Sequence, residues 1–250
     1  RFTVEIVRDI IDAPATRGYM VDKSSGIGYI ELRTFSQKAG HDIETEVLSL
    51  ANQGMNGLIL DLRYNGGGLV TQAVEVASKF VPSGAVMHVQ GRDGQKKTLY
   101  TAGRRVTDVP IVVLVNEYTA SASEIVSGAL QDTKVATVVG VPTFGKGLVQ
   151  TLFPLSDGSG LAVTTQIYLT AGERAITPDS PIKPDVEVQA LTPEELEKVK
   201  NEQAKRGGPV GPVTAEDLLR IDPALDPQLR RALEILTDQI ESRGAGRNAA

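Results

Sequence analysis

The sequence of 250 residues predicts an α/β fold, in which a mixed β-sheet is flanked by helices. Short apolar runs of strand length, rich in β-branched residues, occur at 58–63, 111–115 and 135–140. The first two are each followed by a helical pattern, at 70–81 and 121–131, and such alternation is typical of α/β units. A chain of this length can bury a substantial core, as one α/β unit or as one unit with an appendage.

The remaining elements follow in order along the chain. A strand at 28–33 precedes an amphipathic helix that ends near Gly54. Residues 86–101 predict a hairpin over the core. Residues 148–155 and 161–170 predict a second hairpin, which turns at Asp157-Gly158.

The character of the sequence changes after about residue 190. A charged helix is predicted to begin at Thr192-Pro193, followed by a Gly/Pro-rich linker at 206–213 and an amphipathic helix at 226–243. We therefore divide the chain into a core, residues 1–190, and a C-terminal helical extension, residues 191–250. The apolar face of the last helix must cover something, either the core as a cap or a second copy of the chain in a homo-oligomer.

Ser121 stands between the strand at 111–115 and the helix that follows it. With Glu124 it forms the Ser-x-x-Glu pattern of a capping box, in which the serine is merely an N-cap. The same position has chemical value, because the first amides of a helix point toward an anion. A serine nucleophile here would place the oxyanion of a tetrahedral intermediate beside the amide of Ala122. Position alone does not decide between these roles, so a general base is needed.

Lys146 is the candidate general base. The chain has two histidines and no cysteine, so the commoner nucleophile–base pairs have few residues to use. Residues i and i+4 of an extended chain project from one face, which should place Gln150 beside Lys146. Because a lysine base must be neutral, we expect Phe144 and Val149 to desolvate its amine. The alternative is an ordinary surface lysine beside a turn.

The glycine run at 66–68 follows the strand at 58–63. Consecutive glycines let the backbone approach a ligand closely and expose its amides, so one of them could be a second oxyanion donor beside Ala122. The alternative is a tight turn from strand to helix. Asp61 and Arg63, at the end of the strand, are expected to form a buried pair that holds the loop.

Three other kinds of site are disfavoured. Residues 140–146 fit the G-x-x-x-x-G-K pattern of a phosphate-binding loop, but Gly147 replaces the magnesium-binding Ser or Thr and a strand follows instead of a helix. His41, near the start of a helix, and His88, in a strand, are the weaker candidates for the base of a Ser-His-Asp triad. No cluster of His, Asp and Glu has metal-ligand spacing, and we predict neither a metal nor a cofactor.

Five segments, in the order in which they occur, resemble the carboxyl-terminal processing, or tail-specific, serine proteases. The interval between the serine and the lysine also matches the Ser-Lys arrangement of that family. The segments are GIGYIEL (26–32), LILDLRYNGGG (58–68), IVVLVNEYTASASEIVSGALQD (111–132), VGVPTFGKGLVQ (139–150) and IKPDVEV (182–188).

This resemblance implies a role for each matched residue. Ser121 would be the nucleophile, Lys146 the general base and Gln150 the residue that orients the lysine. The oxyanion donors would be the amide of Ala122 and one glycine amide, of Gly67 or Gly68. Ser123 is better assigned to support of the helix or of the substrate side. A crotonase-like ββα core is also implied.

The resemblance further implies a serine endopeptidase that forms an acyl-enzyme and cleaves flexible C-terminal regions of proteins, outside the cytoplasm in a periplasm or cell envelope. Members usually carry a PDZ domain before the core. Residues 1–10 resemble only the segment that follows it, so we interpret the chain as a protease core that lacks that domain. The alternative is a catalytically latent or non-catalytic peptide-binding module on the same fold.

Composition limits the partners. A formal net charge of −5 disfavours a nucleic-acid surface. No apolar stretch approaches the length of a membrane span. The absence of cysteine excludes disulfides and thiolate metal sites. The partners that the resemblance implies are protein or peptide substrates with flexible C-termini.

Overall fold

A computed structural model describes residues 14–192, 194–195, 197–198, 223 and 225–248. The segment at 1–10 and the linker predicted at 206–213 lie outside these residues, and the described part of the charged helix, 194–195 and 197–198, is helical. The named helices are α1 (Ala39–Asn52), α2 (Val70–Ser78), α3 (Ala122–Asp132) and α4 (Pro227–Asn248). The strands are β1 (Thr16–Asp22), β2 (Ile27–Leu32), β3 (Gly57–Asp61), β4 (Ala85–Gly91), β5 (Lys96–Tyr100), β6 (Ile111–Val115), β7 (Ala136–Gly140), β8 (Leu148–Pro154), β9 (Gly160–Thr170) and β10 (Val186–Glu187).

The first sheet is mixed, as predicted, with the strand order β1-β2-β3-β6-β7-β10. β1 runs antiparallel to β2, and the other neighbouring pairs are parallel. Every residue of β3 and β6 is buried, as expected for central parallel strands that are covered on both faces. β1 was not predicted from the sequence, because Gly18 interrupts a short edge strand in which apolar alternation is weak.

The second sheet is antiparallel, in the order β5-β4-β9-β8, and it contains both predicted hairpins. β8 is an edge strand of this sheet. Apolar side chains are exposed along the outer part of the β8–β9 hairpin, and Leu152 is 73% exposed. This surface differs from an ordinary protein exterior, on which large apolar side chains are usually scattered singly.

Helix α3 is enclosed between the two sheets. All residues from 122 to 131 are buried, so this helix has no solvent-exposed stripe. Small residues permit the close packing. A Cβ atom on Gly128 would lie 2.9 Å from the side chain of Thr170 on β9. The amino end of α3 is thereby fixed in position with respect to both sheets.

Helix α4 covers the opposite face of the first sheet. Leu229, Ala232 and Leu236 have no exposed surface and pack in one cluster with Tyr29 of β2 and Ile59 of β3. Helix α4 of the C-terminal extension therefore packs on the sheet of its own chain. Among the described helices, none combines the length and the apolar composition needed to cross a membrane.

Arg63 forms the predicted buried pair with Asp61 and also links the pair to α4. Its Nη2 donates to Asp61 Oδ2 at 2.6 Å, and its Nη1 lies 2.7 Å from Asp226 Oδ2. The hydroxyl of Tyr29 donates to the same Asp61 oxygen, at 2.7 Å. Burial alone would lower the pKa of Arg63, but the Asp61 and Asp226 carboxylates raise it further than burial lowers it. Burial, with the Asp61 charge next in importance, raises the pKa of Tyr29, so at neutral pH Arg63 stays charged and Tyr29 keeps its proton.

We expect Arg63→Met to lower the free energy of unfolding by about 3–5 kcal/mol, because it leaves the buried Asp61 and the partly buried Asp226 carboxylates without their cation. The measurement is urea denaturation followed by circular dichroism. Arg33→Met is the control, since Arg33 pairs with Glu31 at the surface and its loss should change stability by less than about 1 kcal/mol. Equal effects of the two substitutions would contradict a structural role for the buried network.

Candidate active site

Ser121 has a strained backbone at the point where the chain enters α3. Its φ of 57° and ψ of −116° put a non-glycine residue at positive φ, which costs about 1–3 kcal/mol. Such a conformation persists only where the surrounding contacts enforce it, and it is concentrated at active sites. The turn at 116–121, which connects β6 to α3, is therefore the first element of the candidate site.

Asn116 and Thr119 hold this turn against the chain that follows β3. The hydroxyl of Thr119 donates to the carbonyl of Leu62 at 2.9 Å and accepts from the amide of Asn116 at 2.9 Å. Asn116 Oδ1 accepts the amides of Tyr64 at 2.9 Å and of Tyr118 at 3.2 Å. The side chain of Asn116 thus joins two loops that are distant in sequence.

The rings of Tyr64 and Tyr118 stack on each other above these two loops. Their centroids are 5.4 Å apart, with an angle of 19° between the ring planes. The two residues are 72% and 58% exposed. Tyr64 also has a positive φ, of 58°, so a second strained residue lies close to the first.

Residues 64–69, here called the glycine loop, are organised by Asn65. This residue is fully buried, and its side chain donates to the carbonyl of Leu32 at 2.6 Å and accepts the amide of Gly67 at 2.9 Å. Its carbonyl accepts the amide of Ala120 at 3.0 Å and the hydroxyl of Ser123 at 2.9 Å. Ser123 is fully buried as well, so it supports the glycine loop from within α3.

Gly67 packs directly against the turn that carries Ser121. A Cβ atom on Gly67 would lie 2.8 Å from the carbonyl oxygen of Ala120, and 2.9 Å from both the amide nitrogen of Ala122 and the Cβ of Ser121. Any side chain is therefore excluded, and φ at Gly67 is +101°. The same position lies at hydrogen-bonding distance from the Ala122 amide, which places the glycine loop beside the amino end of α3.

Lys146 lies in the turn at 141–147, here called the lysine turn, and its side chain is exposed. The prediction that apolar neighbours desolvate this amine is wrong for this structure, because Phe144 is itself 57% exposed and β8 is a sheet edge. Gln150 is also exposed, on β8. A register irregularity lies between Val149 and Gln150, and the hydrogen bonds of the described residues include none between Gln150 and Lys146.

Glu124 joins the two turns. Its Oε2 accepts the amide of Ser121 at 2.9 Å and the amide of Lys146 at 2.8 Å. Its Oε1 accepts the hydroxyl of Thr143 at 2.6 Å and the amide of Gly145 at 2.7 Å. The main-chain nitrogens of Ser121 and Lys146 therefore lie no farther apart than the combined length of two hydrogen bonds. The capping-box pattern predicted the first of these bonds, but no sequence pattern indicated the other three.

The structure also bears on the sites that were disfavoured from the sequence. The amides of Gly145 and Lys146, which a phosphate-binding loop would present to phosphate, donate to Glu124, and a strand follows them. The ring nitrogens of His88 lie 2.8 Å from the Thr98 hydroxyl and 3.3 Å from the Ala171 carbonyl. His41 is exposed within α1. Among the described residues, no group of three or more His, Asp or Glu could hold a metal ion.

Residues 26–188 match the model of Peptidase family S41, and this match covers more than half of the chain. The chain belongs to the S41 peptidase family. A carboxyl-terminal-processing protease of Synechocystis is 43% identical over 167 residues, which cover 66% of this chain and 39% of that protein. A carboxy-terminal-processing protease of Bartonella bacilliformis is 35% identical over an alignment 253 residues long, which covers 95% of this chain and 57% of that protein. The chain thus spans less than two thirds of the length of these relatives.

Solved structures agree with this assignment. The photosystem II D1 C-terminal processing protease superposes with a TM-score of 0.64 at 35% identity, over 72% of this chain and 49% of that one. An S41 protease of Bacteroides fragilis superposes with a TM-score of 0.65 at 19% identity, over 92% of this chain and 59% of that one, and shows the fold alone. The predicted family and the α/β fold with a mixed sheet are confirmed.

In this S41 core, we expect Ser123→Ala to lower the free energy of unfolding by about 1 kcal/mol and to speed hydrogen exchange at the amides of the glycine loop. The reason is that the Ser123 hydroxyl is bonded to that loop. Ser127→Ala is the matched control, because among the described residues this buried hydroxyl bonds within its own helix, to the carbonyls of Ser123 at 2.9 Å and Glu124 at 3.3 Å. Exchange in the glycine loop that is the same in both variants would contradict the assigned contact.

Proposed function

We propose that the chain is a serine endopeptidase in which Ser121 is the nucleophile, Lys146 the general base and Gln150 the residue that orients the lysine. The observation that carries this proposal is the juxtaposition at Glu124. One carboxylate oxygen binds the amides of both Ser121 and Lys146, and the resulting separation is within reach of a lysine side chain. The strained backbone of Ser121, at the amino end of α3, supports the same assignment.

The proposed reaction is acyl transfer through a covalent intermediate. Neutral Lys146 takes the hydroxyl proton of Ser121 as Oγ attacks the peptide carbonyl carbon. The tetrahedral intermediate then collapses, the C–N bond breaks, and the amine leaves with the proton from Lys146. A water molecule then attacks the acyl carbonyl carbon as Lys146 takes its proton, the ester C–O bond breaks, and Lys146 returns the proton to Ser121 Oγ.

The amide of Ala122 and one amide of the glycine loop would bind the oxyanion. The packing of Gly67 against Ala122 supports a shared site at this junction. The amide of Gly67 already donates to Asn65 Oδ1, which favours Gly68 as the second donor.

The exposed edge of β8 suits an extended substrate. A peptide in an extended conformation can add to a free strand edge through main-chain hydrogen bonds, as in other cases of β-augmentation. Leu148 and Leu152, which are 50% and 73% exposed, flank Gln150 on this strand and would contact apolar substrate side chains. Such a peptide would also cover Lys146 and supply the desolvation that the free structure lacks. We propose flexible C-terminal regions of proteins as substrates and, from the family resemblance, a location in a periplasm or cell envelope.

The exposure of Lys146 also favours a second candidate, a latent or non-catalytic peptide-binding module on this fold. A lysine that acts as a general base needs a desolvated amine, and an exposed side chain does not provide one. In a latent protease, the site would become complete only when substrate or an additional domain binds.

Cleavage of an unfolded protein, such as reduced casein, separates these candidates. We expect the chain to cut it, and Ser121→Ala and Lys146→Ala to lose at least about 10³-fold in rate while remaining folded. Gln150→Ala should retain partial activity, because Gln150 orients the general base and is not itself the base. Equal cutting by all variants would refute the site. If neither the parent chain nor any variant cuts casein, but casein still binds, the non-catalytic binding module is supported.

Gly67→Ala tests the oxyanion site. Its methyl group would lie where an oxygen bonded to the Ala122 amide would otherwise fit, so we expect cleavage to fall by at least about 10²-fold. Gly66→Ala is the matched control, since a Cβ atom there meets nothing within 4 Å. Circular dichroism confirms folding, because positive φ strains alanine at position 67. Activity of a folded Gly67→Ala variant at the control level would remove this loop from the mechanism.

A further inference from the structure

We infer that Glu124 is a positioning residue, which sets the lysine turn against the strained turn of Ser121 and so fixes the geometry of the nucleophile and its base. This inference rests on the proposed function, because it assigns Glu124 a role in bringing together the two residues of that mechanism. Nothing in the inference requires Glu124 to touch the substrate.

The first argument is that position 124 requires a carboxylate. The side chain has no exposed surface, and burial of a charge is costly unless hydrogen bonds compensate for it. All four of its partners act as donors, two on each oxygen. Three of those donors are main-chain amides, which cannot reverse their polarity. Only a group with two acceptor oxygens satisfies all of them.

The second argument concerns what these bonds connect. Ser121 and Lys146 donate to the same oxygen, although 25 positions separate them along the chain. A shift of that oxygen would therefore move or release both turns together. The bond to the Ser121 amide also acts on the residue whose backbone is strained, so the carboxylate helps to enforce that conformation.

The third argument concerns charge. Among the ion pairs of the described residues, none joins Glu124 to the ammonium group of Lys146, and the bond that Glu124 makes to this residue is through the main-chain nitrogen. A direct ion pair would stabilise the protonated amine, which opposes its use as a base. Glu124 instead holds the backbone of the lysine and leaves its amine available.

Glu124→Gln is the direct test, because glutamine has the same shape but must present an NH₂ group to at least one main-chain amide. We expect kcat for peptide cleavage to fall by about 10²-fold with KM changed by less than about threefold, since a small misplacement of reacting groups costs about that much. Glu241→Gln, at an exposed position of α4 on the opposite face of the first sheet, is the matched control and should retain full activity. Activity of Glu124→Gln within about threefold of this control would overturn the inference.

A double-mutant cycle distinguishes positioning from general support. The measured quantity is the rate at which a fluorophosphonate labels Ser121. If Glu124 acts through Lys146, Glu124→Gln should slow labelling in the parent chain but add little in the Lys146→Ala background. The same factor of loss in both backgrounds would assign Glu124 a structural role only and would overturn the inference.

Thr143 provides a second variant in case Glu124→Gln does not fold. Thr143→Val removes one hydrogen bond to the carboxylate, and we expect about a tenfold lower kcat with KM unchanged. Thr143→Ser keeps the hydroxyl and should restore the rate to within about twofold. Loss of kcat in Thr143→Ser equal to that in Thr143→Val would contradict the role of this bond.

Hydrogen exchange separates failure of this inference from failure of the proposed function. If the parent chain neither cuts nor reacts with the fluorophosphonate, the protease proposal fails for this chain. Exchange at the amides of Ser121, Gly145 and Lys146 still reports on the restraint. We expect faster exchange at these amides in Glu124→Gln, and unchanged protection in the core of β6. Unchanged protection at all three amides would overturn the inference independently of activity.

Discussion

The parallel alignment of β3, β6 and β7 is the constraint on which the candidate site depends. These strands are neighbours in the first sheet, so their carboxyl ends meet at one edge. The glycine loop follows β3, the Ser121 turn follows β6, and the lysine turn follows β7. Three segments that are far apart in sequence are thereby brought to one place before any side chain contributes.

Side chains then connect these segments by bonding to main-chain groups of the neighbouring segment. Asn116 binds the amide of Tyr64, Ser123 binds the carbonyl of Asn65, and Glu124 binds the amides of Gly145 and Lys146. Loops of this kind have few main-chain partners of their own, so buried polar side chains supply the missing hydrogen bonds. The same bonds support the strained backbone of Ser121. The polar core of the site is therefore structural, whereas Lys146 and Gln150, which have proposed chemical roles, are exposed.

The sequence predicts the elements whose signals are local. β6 was predicted with its observed bounds, and the two hairpins and the start of α3 at Ser121 are in the expected places, because apolar runs, turns and caps act over a few residues. β1 was missed because an edge strand needs little apolar alternation. The role of Glu124 could not be read beyond the capping box, since its other three partners are set by how β7 packs against α3. The sequence left open whether Lys146 is desolvated or is an ordinary surface lysine, because its exposure depends on β8 being the last strand of its sheet.

The stacked pair of Tyr64 and Tyr118 gives this protein an optical property. The chain contains no tryptophan and six tyrosines, so its near-ultraviolet absorption and emission come mainly from tyrosine. Two of the six lie face to face, one on the glycine loop and the other on the Ser121 turn. A change in the distance between these loops would alter the coupling of the two rings and thus the near-ultraviolet circular dichroism. Opening or closing of the site can therefore be followed in the unlabelled chain, by a chromophore pair that it already carries.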